Sequence, residues 1–149
     1  MLFSLAGYLY LTGSPQRRHP LFIGDGAFQI SCHELATLMR LGLAPVIFLL
    51  NNNGDTIERY ILGENSFYNT IPSMRYTELL HAMGGGEDVV GTVVENGAQL
   101  DAALELAEHA KSLTLIEVRL TEMDGSQALK RLCSNCNRFN FGVTPPRRP

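Results

Sequence analysis

The sequence predicts an α/β fold: a parallel sheet with helices on both faces. Three observations predict it. Short β-prone apolar runs alternate with segments of helical spacing, the rhythm of βαβ units joined by right-handed crossovers. The run Val46-Ile47-Phe48-Leu49-Leu50 is apolar at every position, as a central parallel strand covered on both faces must be. Gly24-Asp25-Gly26 and Asn51-Asn52-Asn53-Gly54 each follow such a run, so turn chemistry sits at strand carboxyl ends, where open α/β sheets bind ligands.

The elements follow in order. Residues 1–12 are apolar and read as a core helix cut off at its beginning. They lack the basic start and small-residue cleavage site of a signal peptide. They are also shorter than the roughly 20 apolar residues that span a bilayer. Gly13-Ser14-Pro15 ends this helix, and Gln16-Arg17-Arg18-His19 reads as a solvated connection. Residues 21–23 form a short buried strand. A helix over 30–41 carries its apolar positions Ile30, Leu35, Leu38, Met39 and Leu41 close to helical spacing, and Gly42 stops it. After the strand at 46–50, residues 57–62 form a short helix and 63–73 an irregular loop. A short helix at 76–83 ends in Gly84-Gly85-Gly86. Residues 89–94 are a strand, and Asn96 caps a helix running through His109. The last strand covers 113–120. Residues 1–124 thus form one domain, truncated at its N-terminal end, and 125–149 a tail in which 127–132 are helical and 144–149 disordered.

Composition narrows the function. A 45% apolar chain of net charge −3 supports a packed core and gives no reason to propose a nucleic-acid partner. No membrane span is expected. Three cysteines make a disulfide framework unexpected and fit a reducing cytoplasmic setting. Cys133 and Cys136 supply half a zinc site, and no second pair is spaced to complete it. No GxGxxG or Walker loop is present.

The first glycine pair flanks one carboxylate, Asp25, so the backbone can turn tightly and approach a ligand closely. Asn52 adds an amide oxygen, and the turn at Asn53-Gly54 can present a backbone carbonyl. One carboxylate, one amide oxygen and one carbonyl suit octahedral Mg²⁺ completed by phosphate and water. Neighbouring parallel strands end about 5 Å apart, so both loops can reach one metal. Taken singly, Asp25 also reads as a helix cap and Asn51-Asn52-Asn53-Gly54 as an ordinary turn.

The longer pattern resembles a known family. Gly24-Asp25-Gly26-Ala27-Phe28-Gln29, Glu34-Leu35-Ala36-Thr37-Leu38-Met39-Arg40, Gly42-Leu43-Ala44-Pro45 and Thr56-Ile57-Glu58 are similar to the thiamine-diphosphate-dependent 2-oxo acid decarboxylases, in the pyruvate and indolepyruvate decarboxylase branch. Tyr68-Asn69-Thr70-Ile71 and Leu115-Ile116-Glu117-Val118 extend the resemblance, which covers residues 21–124. It implies the thiamine-diphosphate-binding, pyrophosphate-domain fold, with thiamine diphosphate and Mg²⁺ as cofactors and a 2-oxo acid as substrate, released as CO₂ and an aldehyde. It implies Asp25, Asn52 and the Gly54 carbonyl as metal ligands. Gly24, Gly26, Ala27, Thr56 and Ile57 would contact the cofactor, and Glu58 would be the catalytic proton-handling carboxylate.

The sequence departs from that pattern at three positions. Ala27 stands where many relatives have serine, Asp55 where they have tyrosine, and Met74 where they have tryptophan. A second carboxylate at Asp55 adds repulsion beside a diphosphate. The resemblance also implies that the chain corresponds to the C-terminal pyrophosphate-binding domain, working with a pyrimidine-binding domain and commonly in a homo-oligomer. The isolated chain is therefore expected to be inactive. Two classes stay open: the cofactor-holding part of a decarboxylase, and a non-catalytic remnant or interaction domain of the same fold.

Overall fold

The computed structural model describes residues 2–12 and 18–142. They divide into two compact units, one of Met1–Asn51 with Ser73–Leu120, the other of Asn52–Pro72 with Thr121–Pro149.

The first unit holds the sheet. Its elements in chain order are α1 (Leu2–Thr12), β1 (Pro20–Gly24), α2 (Asp25–Ser31), α3 (Glu34–Arg40) and β2 (Val46–Asn51). The second unit then contributes α4 (Thr56–Leu62) and a 3₁₀ turn at Phe67–Asn69. The chain continues in the first unit with a 3₁₀ turn at Tyr76–Glu78, α5 (Leu79–Ala82), β3 (Val90–Val94), α6 (Gly97–His109) and β4 (Thr114–Arg119). The second unit ends with α7 (Gln127–Phe141). The four strands are parallel in the order β1-β2-β4-β3.

Alternation along the strands divides the core between the two sheet faces. Ile47, Leu49 and Leu115 point into one cluster with Leu2 and Ala6 of α1, Phe28 of α2, Leu35 and Leu38 of α3, and Leu80 of α5. Val46, Phe48 and Ile116 point the other way, onto Ala103 and Ala107 of α6. The expected α/β class, with helices on both faces, is the observed one. The small residues of α6 let that helix lie close to the sheet. Its start is as expected: Asn96 Oδ1 accepts the Gln99 N–H at 3.1 Å.

The structure corrects the expectations at five places. The helix expected over 30–41 begins at Asp25 and is broken: α2 and α3 meet at Cys32 and His33, whose carbonyls accept the N–H groups of Leu35 and Ala36 in three-residue steps. That tightening brings Leu35 and Leu38 into line with Phe28 and leaves Ile30 82% exposed, so Ile30 is not a core position. Residues 76–83 are a 3₁₀ turn followed by one turn of α-helix rather than a single helix. The loop over 63–73 contains the ordered turn at Phe67–Asn69.

Arg18, expected in a solvated connection, instead turns inward. It donates to the Ala110 carbonyl and, at 3.0 Å, to Thr114 Oγ1, and burial lowers its pKa from the ordinary value. The expected ends of the chain's first helix at Gly13-Ser14-Pro15, the connection residues Gln16 and Arg17, and the disorder expected at 144–149 lie outside the described residues.

The helix expected at 127–132 runs on to Phe141. Ser126 Oγ caps it by accepting the Leu129 N–H at 3.1 Å, and Gly142 closes it in the left-handed conformation (φ 63°), donating to Arg138 O. Only Cys133 is buried on this helix. α7 packs on α4 inside the second unit, with Lys130 Nζ 5.8 Å from the Tyr60 ring centre and Asn137 donating to Ile61 O. Among the described residues, no helix is long and apolar enough to cross a membrane.

Candidate functional site

The sheet places the first motif. β1 ends at Gly24, whose extended backbone (φ −74°, ψ 157°) is the N-cap of α2 and offers no side-chain acceptor. Asp25 is therefore the first helical residue. It is 2% exposed, and its Oδ1 accepts the Gly26 N–H at 3.0 Å. A buried carboxylate is costly unless it is hydrogen-bonded or meets a cation. Gly26 and Ala27 complete the first turn of α2, where backbone N–H groups have no intrahelical partners.

Around Asp25 the unit carries buried polar groups at the same end of the sheet. Gln29 Nε2 donates to Tyr76 Oη at 2.9 Å. Burial raises the Tyr76 phenol, the hydrogen bond from Gln29 works against that, and the charges of Asp25 and Glu117 add to the rise. Glu117 on β4 is 3% exposed and accepts from Asn51 Nδ2 at 2.8 Å and Arg119 Nε at 3.3 Å. Those bonds hold its charge inside the sheet, and the same partner raises Arg119.

The second motif belongs to the second unit. Asn52 directly follows β2, the strand that pairs with β1 in register Gly24↔Leu50. The turn after it is tightly specified. Asn53 has φ 59° and Gly54 φ 126°. A Cβ on Gly54 would lie 2.0 Å from the Asn69 carbonyl oxygen, so only glycine fits. That same oxygen accepts the Asp55 N–H at 2.9 Å. Asn52 Nδ2 donates to Thr56 Oγ1 at 2.6 Å, which orients the amide, and Thr56 Oγ1 donates to Glu122 O at 2.6 Å.

α4 then begins. Thr56 is buried, Ile57 is 51% exposed, and Glu58 is half-buried in the first turn. Glu58 lies near α7: burial raises the Cys133 thiol, and charge on Cys136 and Glu58 pushes it the same way. Cys32, Cys133 and Cys136 are free thiols, and no cluster of three or more His, Cys, Asp or Glu suited to a metal occurs among the described residues. Gly24, Asp25, Gly26 and Ala27 thus share the first unit, and Asn52, Gly54, Thr56, Ile57 and Glu58 the second.

Sequence reading missed Arg59, Glu122 and Tyr76, and gave Gln29 no role beyond its place in the first motif. Arg59 is 3% exposed and donates to the carbonyls of Asn52 (3.4 Å) and Asn53 (2.9 Å). No local pattern marks an arginine next to a catalytic candidate as buried. Asn69 and Glu117 did fall in segments that carry the family resemblance, and both have buried, hydrogen-bonded roles.

Comparison with known proteins shows the family. Residues 5–118 match the family described as thiamine pyrophosphate enzyme, C-terminal TPP binding domain. An alpha-keto-acid decarboxylase of Mycolicibacterium paratuberculosis is 41% identical over 118 residues, 79% of this chain and 21% of that protein. A pyruvate decarboxylase of Kluyveromyces marxianus is 40% identical over 117 residues, 77% of this chain and 21% of its own. An alpha-keto-acid decarboxylase of Mycobacterium tuberculosis is 42% identical over 119 residues, with the same 79% and 21% coverage. The chain therefore spans about a fifth of the length of the curated relatives it matches.

Proposed function

The chain belongs to the thiamine pyrophosphate enzymes as their C-terminal TPP-binding domain, and from that premise we propose that it is the Mg²⁺- and diphosphate-holding part of a 2-oxo acid decarboxylase. The observation that carries this reading is the order of motif and strand. Gly24-Asp25-Gly26-Ala27 and Asn52-Asn53-Gly54 are the stretches of chain that leave two adjacent parallel strands at their carboxyl ends.

Asp25 and Asn52 would hold Mg²⁺ through side-chain oxygens and Gly54 through its carbonyl. Gly24, Gly26 and Ala27 would follow the diphosphate, and Thr56 and Ile57 would contact the cofactor. Bound there, thiamine diphosphate supplies the electron sink for release of CO₂ from a 2-oxo acid, leaving an aldehyde. The protein's share is to fix the diphosphate and to move protons, the second task falling to Glu58. Ordering the cofactor also requires a pyrimidine-binding domain, in this polypeptide or another, and a homo-oligomer is the natural setting. Apolar side chains open to solvent in the first unit, such as Phe22 at 60% and Leu11 at 84% exposure, are consistent with a covering partner. The three free thiols suit a cytoplasmic protein.

A non-catalytic domain of the same fold is the second reading, favoured by Asp55 beside the metal loop and by the absence of a hydroxyl at Ala27. Calorimetric titration with thiamine diphosphate, with and without Mg²⁺, tests the first. We expect weak binding that requires Mg²⁺ and vanishes in Asp25→Ala, with no useful CO₂ release from pyruvate by the chain alone. A pyrimidine-binding domain supplied in trans should restore turnover, and Glu58→Gln should lower it by about 10²–10⁴-fold. Metal-independent binding, or turnover indifferent to Glu58, would overturn the proposal.

A further inference from the structure

A buried cation stands behind the turn that carries two of the proposed metal ligands. The Arg59 side chain is 1% exposed. Its Nη1 donates to Asn52 O at 3.4 Å and its Nη2 to Asn53 O at 2.9 Å, while Nη2 lies 3.8 Å from Glu122 Oε2. Glu122 is drawn into the same set, since its Oε1 accepts from Asn53 Nδ2 at 2.7 Å and its carbonyl from Thr56 Oγ1. The position of a Gly54 Cβ is 3.3 Å from Arg59 Nη2 and 2.0 Å from Asn69 O, so the guanidinium and the carbonyl both border Gly54 where a side chain would project. Asn69 is fixed in turn by donating from Nδ2 to Gly63 O at 2.7 Å.

We propose that Arg59 is a positioning residue for the metal loop: bridging the Asn52 and Asn53 carbonyls, it fixes the Asn52 side chain and the Gly54 carbonyl in the geometry that a metal–diphosphate requires. This rests on the reading of Asn52 and Gly54 as metal ligands. The physical reason is conformational. Residues 53 and 54 both have positive φ, a backbone that a solvated turn leaves readily. A planar fork that reaches two successive carbonyls and a carboxylate over-determines it, whereas a lysine ammonium is a point charge on a flexible stem and cannot span them. Burying the guanidinium is tolerable because two carbonyls and Glu122 compensate its charge.

The test compares the full chain with Arg59→Lys and Arg59→Met in two measurements. Amide hydrogen exchange reads the loop without ligand. Exchange at Gly54 and Asp55 should rise at least about tenfold in both variants while β2 and β4 stay protected, as for local opening. Water-proton relaxation with Mn²⁺ as the metal probe, in the presence of thiamine diphosphate, reads the site. The dissociation constant should rise about 10–100-fold in both variants, the usual loss when a supporting contact of a metal site is removed. Equal loop exchange in wild type and Arg59→Lys would overturn the proposal. So would unchanged Mn²⁺ affinity in variants whose only defect is a lower melting temperature, which is what a merely structural arginine would produce. Absence of metal-dependent binding in the wild type would refute the site reading of the preceding section instead, and loop exchange would still decide whether Arg59 positions the turn.

Discussion

Replacing Gly54 by alanine isolates the most demanding backbone position in the candidate site. Gly54 has φ 126°, a conformation that costs an L-residue about 1–3 kcal/mol. The added Cβ would lie 2.0 Å from the Asn69 carbonyl oxygen, more than an ångström inside van der Waals contact, and the obstacle is backbone rather than a movable side chain. Relief requires that carbonyl to retreat, which breaks the 2.9 Å hydrogen bond from the Asp55 N–H, a net loss of about 1 kcal/mol. The expected destabilisation is about 2–4 kcal/mol, a large part of the ~5–15 kcal/mol that holds a domain together. Urea unfolding followed by far-UV circular dichroism measures it, and the melting temperature should fall by roughly 5–15 °C. Gly7→Ala is the internal control. Gly7 lies in α1 with nothing within 4 Å of the new methyl, so alanine there should stabilise by about 0.5–1 kcal/mol. If Gly54→Ala unfolds within about 0.5 kcal/mol of the wild type, the error of a surface substitution, the proposed turn geometry is wrong.

Three further outcomes follow from the packing. Leu115→Ala removes a fully buried side chain from the central strand pair and should cost about 2–5 kcal/mol in the same urea assay. Asn51→Ala deletes a hydrogen bond to the buried Glu117 carboxylate and should cost about 1.5–3 kcal/mol, with Glu117→Gln in the Asn51→Ala background recovering part of it in a double-mutant cycle. Burial raises the Cys133 thiol above its ordinary value of 9.0, so the folded state keeps a proton that the unfolded state has lost. Stability attributable to Cys133 is complete below that value and falls as pH climbs through it, and melting curves taken upward from pH 9 should show a shallower decline in Cys133→Ala.

The local sequence was sufficient for the sheet because strand chemistry is local. Five apolar residues in succession at Val46-Ile47-Phe48-Leu49-Leu50 are tolerable only where both faces are covered, and that alone places β2 in the middle of a parallel sheet. The spacing of Asp25, Asn52 and Gly54 was legible for the same reason, since a motif that follows a strand is carried to the strand's end whatever else the chain does. What tertiary structure decided is what depends on partners distant in sequence. Apolar spacing counts Ile30 with Leu35 and Leu38, yet the chain takes three-residue steps at Cys32 and His33, Leu35 is buried and Ile30 lies in solvent. Local sequence predicts α7 only over 127–132, and the polar residues Ser134, Asn135, Asn137 and Asn140 that follow carry no helical apolar spacing. The stability of α7 comes from two caps and from packing on α4, neither of which is written in hydrophobic spacing. Arg59 is the clearest case. A charged side chain beside Glu58 on a short helix reads as a solvated face, and it is buried only because the folded turn offers it two carbonyls and Glu122 in place of water.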